Sequence, residues 1–122
     1  MKTIKRLFVI AIALTVTTFA KAQNYNYKLD GPNTATKTFK VSGVCVMCEH
    51  RIENSLKKSA GIWSANWDEN SETLQVKYNK TKINPDKIQQ LVAAVGHDTE
   101  KFKAQDDVYA KLPDCCHYSR KK

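Results

Sequence analysis

The chain is poor in the residues that build catalytic pockets. It has only four glycines in 122 residues, and none of them forms a glycine-rich loop able to cradle a phosphate. No Ser/His/Asp arrangement and no paired carboxylates mark a reacting centre. Basic residues interleaved with aromatics, the footprint of a nucleic-acid binder, are missing too. The apolar run over residues 7–16 falls short of the roughly 20 residues a membrane-spanning helix needs. There is no low-complexity tract and no long repeat. These absences argue against an enzyme, a nucleic-acid partner and stable membrane insertion.

What is present begins with an export signal. Lys2, Lys5 and Arg6 precede the apolar run, and Ala20-Lys21-Ala22 supplies the small residues of an A-x-A cleavage site. The expected cut follows Ala22, leaving a periplasmic or secreted chain. No cysteine stands at the cut to carry a lipid anchor. Without the segment, the formal charge of +8 falls to +4, with 16 basic against 12 acidic side chains. That balance is weak evidence for any polyanionic partner.

Four cysteines entering an oxidising compartment would ordinarily staple a small domain. Here they form two tight pairs, Cys45/Cys48 and Cys115/Cys116, and local pairs favour metal ligation or redox chemistry. Cys48, Ile52, Leu56 and Ala60 recur every four residues, so an amphipathic helix starts at the first pair. The unpaired N–H groups and positive dipole end of a helix stabilise a thiolate there. Thiolates select Cu(I), Hg(II) and Zn(II) over hard cations. A plain disulfide, or a thiol-disulfide exchange protein, is the competing reading. A thioredoxin-type enzyme would also need a cis-proline facing the pair, and Pro32, Pro85 and Pro113 are placed in a leader, a helix start and a tail.

The domain reads as follows. Residues 23–35 are polar and form a flexible leader. Residues 38–41 alternate as a strand, and the cysteine loop and first helix run to about residue 59. Residues 62–68 and 73–78 alternate again around a turn at 69–71, a hairpin in which Trp63, Ala65 and Trp67 share a face. Asn84-Pro85 caps a second helix with Ile88, Leu91, Val92 and Val95 on its buried face, ended by Gly96. Residues 99–103 supply a fourth strand. The predicted class is α+β, a ferredoxin-like βαββαβ sandwich. It has a four-stranded antiparallel sheet, two helices on one face and a short C-terminal helical tail. Right-handed crossovers bring the cysteine loop, the 69–71 turn and the 96–98 loop to one end.

In this context the chain resembles the heavy-metal-associated domain family: copper chaperones, metal-binding modules of copper-pumping ATPases, and periplasmic mercury-binding proteins. The resemblance spans residues 36–103 and rests on Cys45-x-x-Cys48 after the first strand, the helix that follows, the hairpin, and Val92-x-x-Val95-Gly96-His97-Asp98. It implies that Cys45 and Cys48 grip a soft ion, Cu(I) first and Hg(II) or Zn(II) as alternatives. It also implies that a monomer passes the ion to or from a partner such as a membrane metal transporter. The family usually carries Gly-Met-x-Cys at the motif; Gly43-Val44-Cys45 is one residue shorter and lacks that methionine.

The remaining candidates are auxiliary. His97 shares an end with the cysteines and offers a third ligand or a hydrogen bond to a thiolate; a solvated loop histidine is the alternative. His50 faces away from the apolar stripe, and Met47 reads as a packing or docking residue. The tail, residues 104–122, carries Cys115-Cys116-His117. Adjacent cysteines rarely close a disulfide on each other without strain. These residues therefore either join the Cys45/Cys48 site, make a separate one, or pair with a distant cysteine. A fourth strand ending opposite the cysteine loop would require the tail to climb back along the sheet.

Overall fold

A computed structural model describes residues 31–121. The export segment over residues 1–22, its cleavage after Ala22 and residues 23–30 of the leader lie outside the described residues. The elements are β1 (Thr34–Lys40), α1 (Val46–Lys57), β2 (Ile62–Asp68), β3 (Thr73–Asn79), α2 (Pro85–Ala94) and α3 (Asp106–Ala110), with a 3-10 helix at Asp114–Cys116. Among the described residues no helix is long and apolar enough to cross a membrane.

The sheet has three antiparallel strands in the order β1-β3-β2. β1 begins at Thr34, inside the segment read as leader, because it pairs with β3 along its whole length, from Thr34 opposite Asn79 to Lys40 opposite Thr73. Leu74, Val76 and Tyr78 of β3 alternate inward, as the period of two requires. In β2 a register shift between Ile62 and Ser64 breaks the alternation. Ile62 then joins Ala65 and Trp67 on the core side, and Trp63 is left 41 % exposed. The shared face expected for Trp63, Ala65 and Trp67 therefore fails at its first member.

The expected fourth strand, residues 99–103, is not a strand. Only a single bridge joins Val41 to Thr99. Thr99 instead closes a turn on Phe102: its N–H donates to the Phe102 carbonyl at 2.8 Å, and its Oγ1 accepts from the Phe102 N–H at 2.9 Å. The Ala104 N–H then donates to Asp98 Oδ1 at 2.8 Å, folding the chain back to where it left the sheet. The tail has no climb to make, since the chain never travels to the far end.

One core joins all layers. Cys48, Ile52 and Leu56 of α1 and Ile88 and Val92 of α2 are fully buried against Phe39, Leu74 and Val76 of the sheet. Asn84 caps α2, its Oδ1 accepting from the Lys87 N–H at 2.8 Å. Leu112, Cys116 and Tyr118 of the tail belong to the same cluster.

Candidate metal centre

The cysteine loop is shaped by a glycine and a tryptophan. A Cβ on Gly43 would lie 2.8 Å from Trp67 Cζ2 and 3.1 Å from Cys48 Cβ, so only glycine lets the loop pass so close. The Trp67 indole is fixed there by its Nε1–H, which donates to the Val41 carbonyl at 3.0 Å. Its ring therefore packs directly against the cysteine loop.

Cys45 is the residue before the first turn of α1. Its carbonyl accepts from the N–H groups of Cys48 and Glu49 at 2.9 and 3.2 Å. Cys48 lies inside the first turn and is fully buried, with the Val44 N–H 3.5 Å from its sulfur. The two sulfurs are 3.4 Å apart.

The tail arrives at the same place. Cys116 Sγ is 3.6 Å from Cys45 Sγ, Cys115 Sγ is 3.9 Å from Cys116 Sγ, and Met47 Sδ is 3.6 Å from Cys115 Sγ. The sulfurs of Cys45, Cys115 and Cys116 all lie within 4.8 Å of one another. All four cysteines are free thiols. Cys116 is buried, Cys45 half-buried and Cys115 exposed. The structure thus gathers both cysteine pairs into one sulfur basin at the mouth of α1.

Their acidities diverge. Burial opposes ionisation of Cys45, but the Cys48 backbone N–H and the thiols of Cys48, Cys116 and Cys115 donate to its sulfur and bring its pKa from 9.0 down to about 7. Cys116 is pushed well up, first by burial and then by donating to the sulfurs of Cys48 and Cys45. Cys115 is raised by its own bond to Cys45 and by burial. One thiolate therefore forms first, and the neighbouring thiols stabilise it.

Among the described residues no histidine joins the sulfur basin. His97 is fully buried; its Nδ1 lies 2.9 Å from the Ser42 carbonyl and its ring stacks on Tyr118 with centroids 5.6 Å apart. Burial lowers its pKa below 6.5, against the Ser42 bond, which raises it. It therefore holds the 96–98 loop against the cysteine loop, and no hydrogen bond joins it to a thiolate. His117 is exposed and lies tilted against Tyr109, centroids 5.3 Å apart, outside the group of converging donors. His50 is exposed on α1.

The residues that seat the tail have no local signal in the sequence. The Tyr118 hydroxyl donates to the Gly96 carbonyl at 2.7 Å and accepts from the Asp98 N–H at 2.8 Å. Arg120 forks onto the Asp98 carboxylate at 2.9 and 2.8 Å. Leu112 packs over Gly96, where a Cβ would meet it at 2.8 Å. Only the pairing of distant residues in the fold reveals these contacts.

The family model described as "Heavy-metal-associated domain" matches residues 38–98. No curated protein sequence matches the chain. Among solved structures, the CopZ metallochaperone aligns with a TM-score of 0.52 at 21 % identity, covering 53 % of this chain and 98 % of that one. At that identity the likeness speaks for the fold. The N-terminal domain of a potential copper-translocating P-type ATPase from Bacillus subtilis, in its Cu(I)-loaded state, aligns at 0.53 with 28 % identity over 62 % of this chain and 95 % of that one. The water-soluble region of the P-type ATPase CopA from Bacillus subtilis aligns at 0.51 with 30 % identity, over 54 % of this chain and 44 % of that one. The family match stops at residue 98, short of the tail and its two cysteines.

Proposed function

The chain belongs to the heavy-metal-associated domain family, and from that premise we propose that it is an exported carrier of Cu(I), taken up as cargo by the Cys45 and Cys48 thiolates. The observation that carries this reading is the pair of sulfurs 3.4 Å apart at the N-terminal mouth of α1. A soft monovalent ion suits thiolate donors, and the similar Cu(I)-loaded domain of a potential copper-translocating ATPase supports the choice of ion. Hg(II) and Zn(II) are the alternatives, separated by measurement of the bound ion. The protein acts as a binder and not as an enzyme. It exchanges its cargo with a metal-donating or metal-accepting protein such as a membrane metal transporter, and works as a monomer in the periplasm or outside the cell.

Native mass spectrometry of the reduced protein under anaerobic conditions tests the proposal. The expected result is Cu(I) bound to the wild type and lost from the Cys45→Ser/Cys48→Ser variant. Catalytic turnover of a model disulfide, with no metal retained against a weak chelator, would overturn it in favour of thiol-disulfide exchange.

A further inference from the structure

Resting on the soft-metal reading, we propose that the tail completes the site. Cu(I) is held by three thiolates, Cys45, Cys48 and Cys116, while Cys115 and the Met47 thioether form the exposed sulfur edge through which the ion enters and leaves. The family match ends at residue 98, so this third ligand lies outside the matched domain.

Two thiols, one from each cysteine pair, stand in contact with Cys45. With a metal–sulfur bond of about 2.3 Å, the zinc–thiolate value, two sulfurs stand about 4.6 Å apart across a linear site and about 4.0 Å apart in a trigonal one. The observed separations are 3.4 Å for Cys45 to Cys48 and 3.6 Å for Cys45 to Cys116. Both are shorter than either value, at plain sulfur–sulfur contact, so the thiols already stand together and need to open by only about 0.5 Å around a trigonal ion.

Cys115 and Cys116 both converge on Cys45, and burial is what separates them. Cys116 is fully buried, yet its sulfur faces Cys45 and not only the surrounding core. The Cys115 sulfur is exposed and directed to Met47 Sδ at 3.6 Å. Met47 is itself 50 % exposed. A soft thiol and thioether at the open rim offer a first landing point for a thiophilic ion.

The third ligand is also preset. The 3-10 helix carrying Cys116 is closed by its own N–H donating to the Pro113 carbonyl at 2.7 Å. Leu112 before it packs on Gly96, Tyr118 after it bonds Gly96 and Asp98, and Arg120 forks onto Asp98. The 96–98 loop is in turn joined to the cysteine loop, the Ser42 N–H donating to the Asp98 carbonyl at 2.8 Å. Cys116 is thus held from both sides before any ion arrives, which lowers the ordering cost of binding. On binding, each ligating thiol gives its proton to solvent as its sulfur–copper bond forms, and no electron moves.

X-ray absorption on the reduced full chain, loaded anaerobically with one equivalent of Cu(I), counts the sulfurs. Three are expected for the wild type and for Cys115→Ser. Two, with a shorter copper–sulfur distance, are expected for Cys116→Ser. That variant should also lose Cu(I) to a competing chelator with an affinity at least about tenfold weaker, the low end of what disturbing a metal's surroundings costs. Two sulfurs in the wild type would overturn this inference and leave the carrier reading intact; that measurement needs no variant to fold. Three sulfurs retained in Cys116→Ser would also overturn it. Failure of the wild type to take up Cu(I) at all would overturn the carrier reading itself.

Discussion

Arg120→Ala asks whether charge, as well as packing, holds the tail. Arg120 makes four hydrogen bonds: to Asp98 Oδ2 and Oδ1 at 2.9 and 2.8 Å, to the Ala104 carbonyl at 2.6 Å and to Asp106 Oδ1 at 2.6 Å. They are unequal. The Asp106 side chain is fully exposed, so solvent screens that pair and it contributes little. The Asp98 side chain is 10 % accessible and that of Arg120 19 %, so truncation strands a carboxylate whose remaining partner is the Ala104 N–H. Stranding a fully buried charge costs about 3–5 kcal/mol; the residual solvent access here reduces the expected loss to about 2 kcal/mol. Burial pushes the Asp98 carboxyl up, but Arg120 and the Ala104 N–H outweigh it and hold its pKa below 3.8. A carboxyl depressed in the folded state stabilises the fold above 3.8 and gives that stability up as pH falls through the lower folded value. Urea denaturation across the acid range should therefore show a falling limb below pH 3.8 in the wild type and a shallower one in Arg120→Ala. A loss under about 0.5 kcal/mol at neutral pH, or an acid limb of equal slope in both proteins, would refute the reasoning.

Gly96→Ala forces a side chain into a backbone at φ 103° and against Leu112 Cδ2 at 2.8 Å; the left-handed strain alone is about 1–2 kcal/mol, and a thermal melt should show at least that loss. Leu112→Ala, which empties a buried site over the same glycine, should cost about 2–4 kcal/mol by urea titration. Iodoacetamide should modify Cys45 first, its rate rising through about pH 7, with buried Cys116 last; peptide mass spectrometry reads the order, and equal rates would contradict the divided acidities. His97 has its pKa depressed below 6.5 by burial, so protons bind the unfolded chain first and stability should fall as pH drops below 6.5. In His97→Asn that decline should disappear from the pH dependence of the urea midpoint.

The parts of this fold that were legible are those whose cause is local. The period-four stripe from Cys48 through Ile52 and Leu56 gave α1, and Asn84-Pro85 marked the start of α2 through a cap whose partner, the Lys87 N–H, lies three residues away. Alternation in residues 73–78 gave β3 for the same reason. Where alternation competes with a turn or with the register of the sheet, alternation alone misleads. Residues 99–103 alternate well enough for a strand, yet Asp98 draws the Ala104 N–H back and Thr99 turns on Phe102 before a ladder forms. Trp63 alternates with Ala65 and Trp67 in sequence, and a one-residue register shift puts it in solvent. The first outcome is a turn made within six residues that alternation hides; the second depends on pairing with β3 and has no local signature.

The sulfur basin divides along the same line. Cys45 and Cys48 stand out by spacing alone, because three residues at a helix mouth bring two side chains together whatever the rest of the chain does. Cys116 reaches Cys45 only through a series of non-local contacts. Asp98 must accept Ala104 to abort the strand, Gly96 must lack a side chain to seat Leu112, and Tyr118 and Arg120 must close on Gly96 and Asp98 from about twenty residues away. The tail's position therefore depends on the 96–98 loop more than on the cysteines it carries. It follows that Asp98→Ala should move Cys116 away from Cys45 without touching a sulfur. Cys116, slowest to alkylate in the wild type, should become accessible in that variant, while the order at Cys45 stays as before. If Cys116 stays protected with its anchor removed, the tail is held by its own packing, and the loop is not what places it.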